Sequence, residues 1–258
     1  MENKGKNHGK NHGNGGILET ETAQIYYETC GSGVPVVMLH GNGESHEIFR
    51  PYVKALSGAV EAVLMDSRGH GRSKLKKGAG AEFTTRDMAE DVIALLDHLR
   101  IQKALLLGFS DGANVALEAA FLYPDRIRGV IAASGNAHPL GMLLPFYLMV
   151  AGQYAAACVM GRLCRDRRKR AEFQKSRMLN GIMFHSPKLS AKELGRITAP
   201  VLLIAGTRDV IRESHTRWMA ERIPGSRLAL LKGGWHEDFI RKPERYIREI
   251  RRFLSCVK

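Results

Sequence analysis

Seven short apolar runs, at 23–28, 34–39, 60–65, 104–109, 127–133, 201–205 and 228–231, punctuate the chain at intervals. Runs of this length bounded by turn residues are expected to be strands. Between them the spacing changes. Over 85–99, Met88, Val92, Leu95, Leu96 and Leu99 fall at i, i+4, i+7, i+8 and i+11, which is one face of a helix. The stretch 111–123 is almost wholly Ala and aliphatic, as a helix laid on a sheet would be, and Pro124 stops it. Further helices are expected around 213–222 and 243–254. Strands and helices in alternation predict an α/β fold with a mostly parallel central sheet flanked by helices.

The segment 137–193 interrupts this rhythm. Positions 140–160 hold no charged residue, and 21 such residues are enough to cross a bilayer. Gly141, Pro145, Gly152 and Gln153 break the stretch, and a span there would put two halves of one sheet on opposite sides of a membrane. The expected arrangement is therefore a helical cap insertion at 137–193 with its apolar face turned inward. The core domain is then formed by 17–136 and 194–258, and 1–16 is a separate tail.

Composition narrows the class further. The chain has 258 residues, 44% hydrophobic and 25% charged, which fits one large globular domain and excludes a disordered or collagen-like chain. The net charge of +13 suggests a nucleic-acid or membrane partner until it is located. Residues 1–16 contribute +2, 162–177 contribute +6 and 241–258 contribute +5, so the remainder is balanced. Basicity is segmental, and no nucleic-acid recognition motif accompanies it. The four cysteines, Cys30, Cys158, Cys164 and Cys256, show no CxxC or zinc spacing, which fits free thiols in a reducing, cytoplasmic compartment. The N-terminal stretch has no apolar core of a secretory signal, and its Gly, Asn and Lys content predicts a floppy tail. His8 and His12 within it are expected to be solvated rather than to hold a metal.

The chemistry concentrates at Gly108-Phe109-Ser110-Asp111-Gly112, directly between a strand and a helix. A nucleophile projecting from a sheet edge needs a very tight turn, in which side chains two residues to either side would collide, hence Gly at both places. The helix behind it points unpaired N–H groups at developing negative charge. GxGxxG and P-loop signatures are both absent, and no cofactor is expected.

Together with three further motifs this elbow resembles the α/β-hydrolase superfamily over roughly residues 20–256. His40-Gly41-Asn42-Gly43 follows a strand where that family forms half of its oxyanion hole. Asp66-Ser67-Arg68-Gly69-His70-Gly71-Arg72-Ser73 is similar to the family's D-x-R-G-x-G-x-S loop. The family order of nucleophile, acid and base is met by Ser110, Asp209 and His236, each just beyond the carboxyl end of a strand.

The resemblance implies that His236 is the general base and that Asp209 orients its imidazole. The backbone N–H groups of Asp111 and Asn42 would bind the oxyanion, with Gly43 adjacent to the second of these. His40 and His70 are expected to shape loops, and Asp66 to pair with Arg68. Asp238, two residues after His236, would replace Asp209 only if its loop folded back. Ser at the nucleophile position excludes the dehalogenases and epoxide hydrolases of the superfamily, which use Asp there. It points to acyl chemistry on a small molecule, most simply a carboxylic ester. C–C bond hydrolysis, cofactor-free perhydrolysis and a non-enzymatic ligand-binding role share the same framework. Phe109, Phe146, Tyr147 and Trp235 are expected to line the substrate pocket. The basic run after the apolar part of the cap would be a solvated face, or would attract an anionic substrate or a membrane surface.

Overall fold

The computed structural model describes residues 14–78 and 82–257. Among the described residues nine strands form one sheet: β1 (Asn14–Glu19), β2 (Ala23–Gly31), β3 (Val34–Leu39), β4 (Val60–Met65), β5 (Lys74–Leu75), β6 (Ala104–Phe109), β7 (Ile127–Ala133), β8 (Val201–Gly206) and β9 (Arg227–Leu231). Their order is β1-β2-β4-β3-β6-β7-β8-β9, with β5 paired to β2. From β4 to β9 every neighbouring pair is parallel, while β1, β2 and β5 add an antiparallel edge. The expected sheet is present, extended by β1 and β5.

The helices are α1 (Arg50–Leu56), α2 (Thr85–His98), α3 (Asp111–Leu122), α4 (Leu144–Leu163), α5 (Arg167–His185), α6 (Ala191–Leu194), α7 (Glu213–Arg222), α8 (Asp238–Arg241) and α9 (Pro243–Leu254). Two apolar cores sandwich the sheet, and β3 shows how its pleat divides them. Val37 and Leu39 join the core under α2, α3 and α7, whereas Val36 and Met38 join the one under α1, α8 and α9. Successive side chains leave a strand on opposite faces, so burial on both faces demands the uninterrupted apolar run that marks this strand. On α9, Tyr246, Ile250 and Phe253 are buried at i, i+4 and i+7, which leaves the arginines of 241–258 on the outer face.

Three expectations need correction here. The tail was expected to run through residue 16, but 14–16 belong to β1, where Gly15 and Gly16 pair with Glu28 and Tyr27 of β2. Backbone pairing does not need side chains, so a Gly-rich stretch joins an edge once Ile17 and Leu18 set its register. Residues 1–13, with His8 and His12, lie outside the described residues.

Second, the 137–193 insertion is turned differently from the expected cap. Between β7 and β8 the chain forms an antiparallel hairpin of α4 and α5, with Tyr147 stacked on Phe184 and Gly181 against Tyr154. The apolar face of α4, expected to point inward, is largely outside: Leu144, Leu148, Met149, Val159, Met160 and Leu163 are all exposed. A helix apolar all round has more apolar surface than one partner can cover.

Third, Arg68 does not pair with Asp66. It reaches Asp91 of α2 through two bonds of 2.6 and 2.8 Å. Asp66 instead accepts from the backbone N–H groups of His46 and Arg72 and from the His46 ring. The tight Gly69–Gly71 turn uses Asp66 as its hub and sends the guanidinium outward to the helix.

Candidate active site

The elbow after β6 is set by sterics. Ser110 has φ 53° and ψ −120°, a strained conformation for a residue with a Cβ, and such strain costs on the order of 1–3 kcal/mol. A Cβ on Gly108 would overlap the carbonyl of Gly112, and one on Gly112 would overlap the carbonyl of Leu39. The predicted collision across the turn is therefore real, and the second glycine also lets α3 approach β3.

The loops after β8 and β9 are joined by a similar close approach. Gly206 and Gly234 leave no room for a Cβ between them. Arg208 N–H donates to Gly234 O at 2.9 Å, and Gly233 N–H donates to Thr207 Oγ1 at 2.9 Å. This pairing fixes Asp209 and His236 relative to each other although 27 positions separate them.

The three side chains form one chain of hydrogen bonds. His236 Nε2 lies 3.1 Å from Ser110 Oγ, and His236 Nδ1 lies 2.6 Å from Asp209 Oδ1. Asp209 is buried and also accepts from Ser134 Oγ at 2.6 Å and from Ile211 N–H at 3.1 Å. Burial pushes its carboxyl pKa up, but the imidazole, the hydroxyl and the amide together hold it below the usual range. Burial disfavours the charged form of His236, yet the hydrogen bond and charge of Asp209, helped by Glu44 and Asp111, raise its pKa above the ordinary value. Asp238 accepts from Trp235 N–H and from Arg245, so its loop does not fold back toward the imidazole.

Asn42 ties the facing loop to the elbow. Its side-chain amide donates to Asp111 Oδ2 at 3.0 Å and to Leu179 O at 2.7 Å. That anchoring places the backbone of Asn42 beside the N-terminus of α3. Asp111 is buried, which pushes its carboxyl up to about 6 against the donation from Asn42. His40 donates from Nδ1 to Gly41 O and accepts Ser67 N–H on Nε2; burial and the adjacent His70 hold its pKa near 4, so it is a neutral brace between two loops.

A cavity of about 440 Å³ opens over Ser110 and His236. Its apolar wall comes from Phe109, Met142, Phe146, Leu179, Met183 and Ile211, drawn from the core and from both helices of the hairpin. Of the four residues expected to line it, Phe109 and Phe146 do so. Tyr147 does not: one step along α4 turns its ring away onto Phe184 at 5.9 Å. Trp235 does not either. It is exposed, with the Arg208 guanidinium 5.8 Å from its ring centre.

Two polar residues at the site were missed. Ser134 follows β7, where chain position gives no hint that its hydroxyl reaches a loop 75 residues away. Glu44 lines the cavity and accepts Gly41 N–H at 3.1 Å, and burial pushes its carboxyl up to about 7. An acid four residues after His40 is visible in the sequence, but nothing there marks it as facing the His236 imidazole.

Comparison with known proteins agrees with this architecture. The sequence profile of the alpha/beta hydrolase fold family matches residues 34–180. RutD of Azorhizobium caulinodans, provisionally named a carbamate hydrolase, is 27% identical over 83% of this chain and 88% of its own. A pimeloyl-[acyl-carrier protein] methyl ester esterase of Nitrosomonas europaea is 26% identical over 87% and 97%. The crystal structure of a hydrolase from Pseudomonas aeruginosa PA01 superposes with a TM-score of 0.76, at 26% identity over 94% of this chain and 98% of that one. With the fold, the strand-end loops and the profile in agreement, the chain belongs to the α/β hydrolase fold family.

Proposed function

We propose that this hydrolase cleaves carboxylic esters of small or medium acyl groups through a covalent acyl-Ser110 intermediate. The observation that carries this is the unbroken path from Ser110 Oγ through the His236 ring to Asp209 Oδ1, opening into an apolar cavity.

Ser110 Oγ attacks the ester carbonyl while His236 Nε2 takes its proton. Asp209 accepts from Nδ1–H, which keeps the tautomer with a free Nε2 lone pair and stabilises the imidazolium. The negative charge that develops on the carbonyl oxygen meets the N–H groups of Asp111 and Asn42 and the N-terminus of α3. Collapse expels the alcohol, to which His236 returns the proton, and a water activated by the same nitrogen then releases the acid. Phe109, Met142, Phe146 and Ile211 give the acyl chain an apolar berth.

Carbamate cleavage is the second reading, favoured by the near full-length similarity to RutD and needing the same carbonyl addition. A fluorophosphonate probe tests the shared step: the wild type should be labelled and Ser110→Ala should not. Labelling of the alanine variant would refute the nucleophile. A panel of p-nitrophenyl esters of increasing chain length, set beside an aryl carbamate, then separates the two substrates. Preference for the carbamate would overturn the ester assignment.

A further inference from the structure

α4 is apolar on both faces, and only one of them is covered. Its inner face is set by Phe146 at the cavity, Tyr147 and Tyr154 stacked on Phe184, and buried Val150 and Ala157. Its outer face, at i+3 and i+4 spacing, presents Leu144, Leu148, Met149, Ala155, Ala156, Val159, Met160 and Leu163 to solvent. Leu163 is 71% exposed and Leu144 64%, and Leu140 and Leu143 continue the strip before the helix begins. Isolated exposed leucines are ordinary, but a continuous strip along a 20-residue helix marks a surface that meets something apolar.

What lies next to the strip selects the partner. α4 contains no acidic residue, and its only formal charge is Arg162 in the last turn. Immediately beyond come Arg165, Arg167, Arg168, Lys169 and Arg170, all exposed. None of these, nor Arg162, forms an ion pair among the described residues. The one acid within the run, Asp166, is occupied in capping α5 through Lys169 N–H. An apolar strip adjoining an uncompensated basic band complements an anionic leaflet, with aliphatic side chains in the acyl boundary and cations at the phosphates. A second copy docked through the same face would offer apolar surface but no counter-charge.

Length and hydropathy would also permit α4 to span a membrane. The fold forbids it. α4 is held along its inner face by α5 and the cavity, α5 carries the basic run, and β7 and β8 on either side of the hairpin are hydrogen-bonded neighbours. The helix can only lie flat.

We propose that the outer face of α4, with the basic run at its C-terminal end, docks this protein onto an anionic membrane surface. Leu144, Leu148, Val159 and Leu163 enter the acyl boundary, and Arg162 to Arg170 meet lipid phosphates. The cavity then opens on the inner side of the same helix, next to the bilayer.

The test is co-sedimentation of the full chain with sucrose-loaded phosphatidylcholine vesicles, with and without phosphatidylglycerol. The wild type should pellet with the anionic vesicles, pellet far less with neutral ones, and be released by salt, since each basic residue near an anionic leaflet strengthens binding about fivefold. L148S/V159S/L163S and R167E/R168E/K169E should each lose at least tenfold in partitioning while keeping the wild-type near-ultraviolet circular dichroism. A wild type left in the supernatant of anionic vesicles overturns the proposal, including the case of a dimer in solution that the triple serine variant converts to monomer. So does a triple serine variant that pellets as well as the wild type, because that would be simple adsorption of a basic protein.

Discussion

Ser134 donates its hydroxyl to Asp209 Oδ2 at 2.6 Å while the His236 ring engages Asp209 Oδ1 at 2.6 Å, so the loops after β7 and β9 hold opposite oxygens of one buried carboxylate. The hydroxyl thus fixes the plane in which the acid presents itself to the imidazole. Ser134→Ala should lower stability by about 1.5–3 kcal/mol, the usual worth of a hydrogen bond to a charged group. It should also lower kcat about tenfold, equivalent to 1.4 kcal/mol of barrier. Urea denaturation and steady-state kinetics on one ester check both numbers, and unchanged kcat would show that Ile211 N–H alone positions Asp209.

The pH profile has a definite direction. The proposed mechanism uses neutral His236, whose pKa lies above the ordinary 6.5 because Asp209, Glu44 and Asp111 favour its cation against burial. kcat/KM should therefore rise with pH through a midpoint above 6.5. Glu44 is itself pushed up to about 7, so its charge appears over the same range and partly tracks the imidazole. Glu44→Gln removes a stabiliser of the imidazolium, and the acidic limb should move to lower pH. An upward movement would contradict the electrostatic assignment.

The elbow tolerates no added carbon. Gly112→Ala forces a Cβ into the Leu39 carbonyl, backbone against backbone, with no flexible side chain to yield. Overpacking of this kind costs about 1–3 kcal/mol and can exceed that. Chemical denaturation should show the loss, together with loss of activity. A stable and active variant would mean that α3 can slide relative to β3.

The Arg68–Asp91 pair is not part of the cavity lining yet is buried on both sides. Asp91→Ala should destabilise by about 3–5 kcal/mol because it strands a guanidinium in the interior. KM should stay near the wild-type value, and a change confined to KM would place this pair in substrate binding instead.

Much of this was legible in the sequence. Each of Ser110, Asp209 and His236 sits just beyond an apolar run, and in a parallel sheet all such positions lie at one edge. The facing of α4 was not legible, because Leu, Met, Ala and Val on all sides give no periodicity that separates inner from outer. Tyr147 was misplaced for the same reason: Phe146 and Tyr147 are adjacent, and only the rotation of α4 decides which one meets the cavity. For Arg68 the sequence offers Asp66 as the nearest acid, whereas α2 brings Asp91 into bidentate geometry from 23 residues away. Ser134 is one small polar residue among many, and its role exists only through β7 and β8 being neighbours in space.

Acylation of Ser110, activated by His236, is the step on which the proposed function stands. His236→Ala should lower kcat by about 10⁴–10⁶ while the protein stays folded. The most direct measurement is peptide mass spectrometry of wild-type protein quenched during turnover of p-nitrophenyl acetate. An acetyl group on the peptide that contains Ser110, absent in Ser110→Ala, is the predicted result. Turnover that persists in Ser110→Ala, or an acetyl group on another residue, would contradict it.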